Sequence, residues 1–192
     1  MGETEFDLDI IGAWLIVAGT LINASGESVN LVGEEELSFK LTGSGNGIEA
    51  AGNALQAIGR SNTPENKVSV FGSWLQFGGN SANAAARVYL LNDQRRDGHY
   101  LDVIGNAVQA LGAAAEAIGA SLDEESAYKG QLTAGYLLIA GGAAIDGVSG
   151  IYFLRKMLEK GRAFGWFGSY LQAVGALLAA EAITSENKII SE

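Results

Sequence analysis

Four acids stand in stretches that otherwise carry almost no charge: Glu49, Glu116, Asp146 and Glu181. A carboxylate that faces inward needs a partner, because burying it unpaired is costly and raises its pKa. Glu116 and Asp146 share one position of an internal repeat, and converging carboxylates on facing helices can bind a metal ion or pass protons. The same column holds Asn23, Thr63 and Asn83 in other copies, and one heptad earlier it holds Gln56, Gln76, Gln109 and Gln172. A column of that kind also fits a ladder of hydrogen bonds that fixes helix register, or a solvated flank. Register is the expectation, so no residue is assigned to a metal, a cofactor or catalysis.

The single histidine, His99, lies beside Arg95, Arg96 and Asp97. A catalytic dyad there is weighed against a solvated turn residue, and the turn is expected. HExxH, GxSxG, phosphate-loop and paired-cysteine patterns do not occur, and with no cysteine there is neither a thiolate nucleophile nor a disulfide frame. The expectation is a protein that is not an enzyme.

The elements that carry these residues are set by glycine. Gly105, Gly112 and Gly119 fall seven apart, and the same frame gives Gly12, Gly19 and Gly26, then Gly45, Gly52 and Gly59, then Gly72 and Gly79, Gly135 and Gly142, and Gly168 and Gly175. The residue three places on is apolar in all six copies: Leu15, Leu55, Leu75, Val108, Leu138 and Leu171. A seven-residue period of this sort belongs to helices. Each interior glycine costs about 0.5–1 kcal/mol relative to alanine, so the compensation must come from tertiary packing. A glycine row removes Cβ from one face and lets a second backbone come inside the usual interaxial distance. The fold class predicted is all-α, a six-helix bundle or array of three hairpins packed through heptad-spaced glycine faces.

The chain is expected to form one domain, 1–192. Helix one is predicted from Thr4 to Gly26, then a long connection over 27–44 in which LSFKL alternates like a short strand. Helix two covers Gly47 to Arg60. Thr63 as N-cap with Pro64 and Glu65 starts helix three, which ends near Asn92. Residues 93–100 read as a turn, and helix four ends near Ala120. Ser121 and Glu124 match a capping box for helix five, with kinks at Gly147 and Gly150 and a stop at Gly161. Helix six runs from Ala163 to about Thr184, and 185–192 is a loose tail. Trp14, Trp74, Trp166, Phe167 and Tyr170 recur at helical positions and are expected as core anchors, the alternative being a membrane-interface belt.

A net charge of −10 argues against nucleic acid as a partner. The N-terminus is acidic where a secretory signal is basic, and Phe6 stands where a myristoylation site needs Ser or Thr. Ile10–Ala24, Leu132–Ile145 and Ala163–Ala180 are apolar but short or interrupted for spans of about 20 residues, so a cytoplasmic protein is expected, with membrane association as the alternative. Arg155 to Arg162 beside AFGWFGSY is the strongest hint of a membrane surface in the chain.

The segments IGAWLIVAGT, GNALQAIG, VFGSWLQFGGN, IGNAVQALGAAAEAIG and FGSYLQAVGALLAA resemble the units of glycine- and alanine-rich repetitive helical proteins of unknown function from Bacillus-type bacteria. The resemblance implies no activity, cofactor or site. The functional expectation is a structural or self-assembling helical protein whose partner is a second copy of itself.

Overall fold

A computed structural model describes the backbone of residues 3–62 and 67–191 and the side chains of 8–62 and 67–187. Six helices follow one another: α1 Glu3–Leu31, α2 Glu35–Gly59, α3 Lys67–Leu91, α4 Arg95–Leu122, α5 Lys129–Leu154 and α6 Leu158–Ser191. Among the described residues there is no strand. Helices α1 and α2, α3 and α4, and α5 and α6 pack as hairpins; α2 meets α3, α4 meets α5, and α6 returns to α1. The result is a closed ring of three hairpins.

Close approach within each hairpin occurs where glycines face one another. A Cβ on Gly12 would stand 2.5 Å from the Gly52 carbonyl oxygen, one on Gly79 would stand 2.6 Å from that of Gly105, and one on Gly142 would stand 2.6 Å from that of Gly168. Gly19 and Gly45, Gly72 and Gly112, and Gly135 and Gly175 oppose each other in the same way, with 2.8 Å or less to the facing carbonyl. No side chain fits between backbones this near, so each pair is restricted to glycine by contact distance and not by backbone conformation. Gly59 is buried at the end of α2.

Several boundaries differ from the sequence reading. The expected long connection over 27–44 is helix except for Val32–Glu34, where Gly33 has φ +91° and turns the chain. Ser38 and Phe39 are buried while Leu37 and Lys40 face out, a helical pattern that the strand-like alternation of LSFKL concealed. The expected turn 93–100 is only Asn92–Gln94, with Asp93 at φ 59°; Gly98 and His99 pack inside α4. The stop expected at Gly161 falls instead at Arg155–Met157, with Lys156 at φ 57°. Gly161 lies within α6, where the Phe153 ring leaves no room for a Cβ. Gly147 and Gly150 interrupt nothing in α5. Ser121 and Glu124 form no capping box: the Ser121 hydroxyl donates to the Ile118 carbonyl, and Asp123 Oδ1 accepts from the Glu125 and Ser126 amides. The supposed loose tail continues α6 through Ser191. The start signal at Thr63, Pro64 and Glu65 lies outside the described residues.

The distribution of polarity is inverted relative to a bundle in water. Gln56, Gln76, Gln109, Glu49, Glu116, Asn53, Asn80 and Asn83 are among the most deeply buried side chains. Large apolar residues face outward on the same helices, with Leu111 66% exposed, Phe71 60% and Ile104 58%. The aromatic residues expected as core anchors, Trp14, Trp74, Trp166, Phe167 and Tyr170, are all on the outside. An apolar cluster does form in part of the interior, around Ile16, Ala113, Ala117, Tyr136, Ile139 and Ala176.

Among the described residues four segments are long and apolar enough to cross a membrane: Leu8–Leu31, Arg95–Leu122, Lys129–Leu154 and Leu158–Asn187, with mean hydropathies of 1.6, 1.2, 1.7 and 1.2. The average for α3 is lowered by Ser73, Gln76, Asn80 and Asn83, which point inward, while Phe71, Trp74, Phe77 and Val88 point outward.

Candidate functional site

The interior is built in tiers that repeat around the ring. Four residues after Gly45, Gly105 and Gly168 come Glu49, Gln109 and Gln172, one from the second helix of each hairpin. These three meet at the centre: Gln109 Nε2 donates to Gln172 Oε1 at 2.7 Å and to Glu49 Oε2 at 3.4 Å. The first helices supply Asn23, Asn83 and Asp146. Asn23 donates to Glu49, Asn83 donates to Asn106 Oδ1 and Gln109 Oε1, and Asp146 Oδ2 accepts from Gln172 Nε2 at 2.6 Å. The remaining oxygens, Asn23 Oδ1, Asn83 Oδ1 and Asp146 Oδ1, have no hydrogen-bond donor. They rest over Gly45, Gly105 and Gly168, where any Cβ would collide with them. The seam glycines therefore admit a polar oxygen as well as a neighbouring backbone, which leaves it a weak Cα–H contact.

One end of the interior is closed by Arg60. Its Nε donates to Asp9 Oδ1 at 2.9 Å, Nη1 to Glu116 Oε2 at 2.8 Å, and Nη2 to the Tyr136 hydroxyl at 2.8 Å. Glu116 Oε1 accepts from Ser73 and Gln76, and Asp9 also accepts from Gln56. The sites on α1, α2, α3, α4 and α5 are thus joined through one guanidinium, which holds two carboxylates. Charge-assisted bonds of this kind are the strongest available to a buried polar group.

At the opposite end a cavity of about 40 Å³ is lined from all six helices, by Glu27 and Asn30, Glu35, Arg87, His99 and Asp102, Asp146 and Ser149, and Gly165. That volume holds one or a few water molecules. Arg87 pairs with Asp102 at 2.9 Å, and Glu35 accepts from Arg95 at 2.8 Å and Arg162 at 3.0 Å. Partial burial acts to raise the pKa of Glu35, but the hydrogen bonds and charges of Arg95 and Arg162 outweigh it and hold the carboxyl below its ordinary value. His99 is buried and stacked on Phe153 at 5.0 Å, not solvated in a turn.

The residues singled out from sequence are therefore distributed. Glu116 and Asp146 are not brought together; Glu116 belongs to the Arg60 cluster and Asp146 to the tier beneath the cavity. Glu49 is buried at the centre and Glu181 is exposed. All four glutamines are buried and hydrogen-bonded. Sequence reasoning missed Asp9, Glu27, Arg60, Arg87 and Asp102. None of these five stands four residues after a glycine that faces another across a hairpin seam, whereas Glu49, Glu116 and Asp146, which the sequence did single out, each do, as the glutamines do. Among the described residues no three acids or histidines converge as a metal ion requires.

A family model described as a family of unknown function (DUF6944) matches residues 7–180. No curated protein and no solved structure matches the chain.

Proposed function

The chain belongs to that family of unknown function, and since membership brings no activity with it, we propose from the geometry that this is a non-enzymatic, membrane-embedded helical bundle with a polar interior. The observation that carries the reading is the inversion of polarity. A bundle folded in water would expose its glutamines and asparagines and bury its leucines and phenylalanines. In hydrocarbon the outer face must be apolar, while polar side chains satisfy one another inside.

The aromatic residues support the same reading. Trp14 Nε1 donates to Thr184 Oγ1 at 3.1 Å, so the two lie at one level of the bundle. Trp166 lies 18 residues before Thr184 on α6, or about 27 Å at 1.5 Å per residue. That separation approaches the roughly 30 Å hydrocarbon thickness of a bilayer, and Trp and Tyr favour its two interfaces. Helix α2 is the least apolar on its outer face, where Lys40 and Ser44 are exposed; a lysine near a helix end can extend its ammonium to the interface.

Assembly of copies through the glycine faces was the other expectation. Those faces meet a partner helix within the chain, so a second copy would have to pack on the apolar outer faces instead. The membrane reading is tested by expressing the full chain, separating membranes, and extracting them with alkaline carbonate. Retention in the pellet and co-flotation with reconstituted liposomes are expected. A protein recovered in the soluble fraction at low and high salt sinks the reading.

A further inference from the structure

The ring topology sorts the charges of the chain onto two ends. The end formed by the α1–α2, α3–α4 and α5–α6 links carries Lys40, Arg95, Arg96, Arg155, Lys156, Lys160 and Arg162, against the acids Glu34, Glu35, Glu36, Asp93, Asp97 and Glu159. The other end, formed by the α2–α3 and α4–α5 links and the outer ends of α1 and α6, offers Lys67 and Lys129 as described exposed or half-exposed cations. Asp123, Glu124, Glu125, Glu181 and Glu186 lie with them, and Arg60 there is buried and committed to Asp9 and Glu116. The acids at the first end nearly match its cations, so what distinguishes it is its number of Lys and Arg side chains outside the interior, seven against two described at the other end, a local feature that composition does not reveal.

The basic end also has the structure of a lipid interface. Arg96 lies over the Tyr100 ring at 5.5 Å and Lys160 over the Tyr152 ring at 5.8 Å. Trp166 and Tyr170 pack against each other on the outside just beyond it, with ring centroids 4.9 Å apart. Cations set beside interfacial aromatics are placed to meet phosphate oxygens at the depth where the apolar surface ends.

We propose that this basic end is the cytoplasmic face of the bundle, seated against the anionic phospholipid headgroups of the inner leaflet, with the acidic end on the opposite side. The inference rests on the membrane reading. Its physical basis is that short loops rich in Lys and Arg resist transfer across the membrane and are attracted to the negative surface potential of the cytoplasmic leaflet, whereas acidic loops exert little hold. The three links at the basic end are each three residues long, Val32–Glu34, Asn92–Gln94 and Arg155–Met157, well within the length over which that rule operates.

The absence of cysteine makes the test direct. Single variants Glu159→Cys at the basic end and Glu124→Cys at the acidic end are expressed in a bacterial host, and membrane retention is checked first. Spheroplasts are then treated with a membrane-impermeant maleimide. Glu124→Cys is expected to label at least tenfold more than Glu159→Cys, with the order reversed in inside-out vesicles. Replacing Arg95, Arg96, Arg155, Lys156 and Lys160 together by Gln is expected to abolish that preference. The opposite labelling order, equal labelling of the two sites, or an unchanged preference in the Gln variant overturns the proposal while the membrane reading stands. A chain found outside the membrane fraction overturns both.

Discussion

Gln109 donates to Gln172 across the centre of the bundle, Nε2 to Oε1 at 2.7 Å, and Gln172 passes the arrangement on to Asp146 Oδ2 at 2.6 Å. With Asn83 donating to Gln109, a directed chain of hydrogen bonds joins α3, α4, α6 and α5. Neighbouring bonds polarise one another, so such a chain holds the second and third hairpins in a single register.

Gln109→Leu removes the shared member of this chain. Gln172 Oε1 loses its donor and Asn83 keeps only Asn106. A loss of about 1–3 kcal/mol is expected, the cost of a buried polar group left unsatisfied, read as a lowered midpoint in thermal unfolding of the protein in detergent.

Arg60→Met has a larger consequence, because Asp9 and Glu116 are then left without their cation. Breaking a buried ion pair from one side costs about 3–5 kcal/mol. The double variant Arg60→Met with Glu116→Gln is expected to recover part of that loss, since one of the two carboxylates goes with it. A double variant less stable than Arg60→Met argues that Glu116 is held by Ser73 and Gln76 alone.

Glycines on the seams and glycines off them are expected to respond oppositely. Gly79→Ala puts a Cβ 2.6 Å from both the Gly105 carbonyl oxygen and the Gln109 amide nitrogen, and forced separation of packed backbones costs about 1–3 kcal/mol. At Gly47 and Gly78 an added Cβ meets nothing within 4 Å, so alanine there is expected to stabilise by about 0.5–1 kcal/mol through helix propensity. Comparison of unfolding midpoints for the three variants checks this.

The ion pairs at the cavity end give a pH dependence of definite sign. Glu35 has its pKa lowered in the folded protein, so its contribution is present above the unfolded value of about 4.5 and is lost as pH falls through the lower folded value. Unfolding midpoints are expected to change little in this respect from pH 7 to 5 and to fall below pH 4.5. Glu35→Gln is expected to melt lower than the parent at pH 7, with the difference closing in acid; a constant difference across that range contradicts the assignment.

The sequence by itself determined the helices, their number and their pairing into hairpins, because a seven-residue glycine period can be satisfied only by helices with one face bare enough for a neighbour. It also marked Gln56, Gln76, Gln109 and Gln172 as a set. It could not determine which side of each helix faces inward. A glycine seam fixes only the line of contact within a hairpin, and both the polar column and the apolar residues flank that line. Closing the ring decided the matter: with α6 packed back onto α1, the Gln and Asn columns meet in the middle and Trp14, Trp74 and Trp166 are left outside. Arg60 and Asp9 lie 51 residues apart, and Glu27 and Asp146, which line one cavity, lie farther still. No local pattern records such pairs, since each depends on where three hairpins bring their ends together.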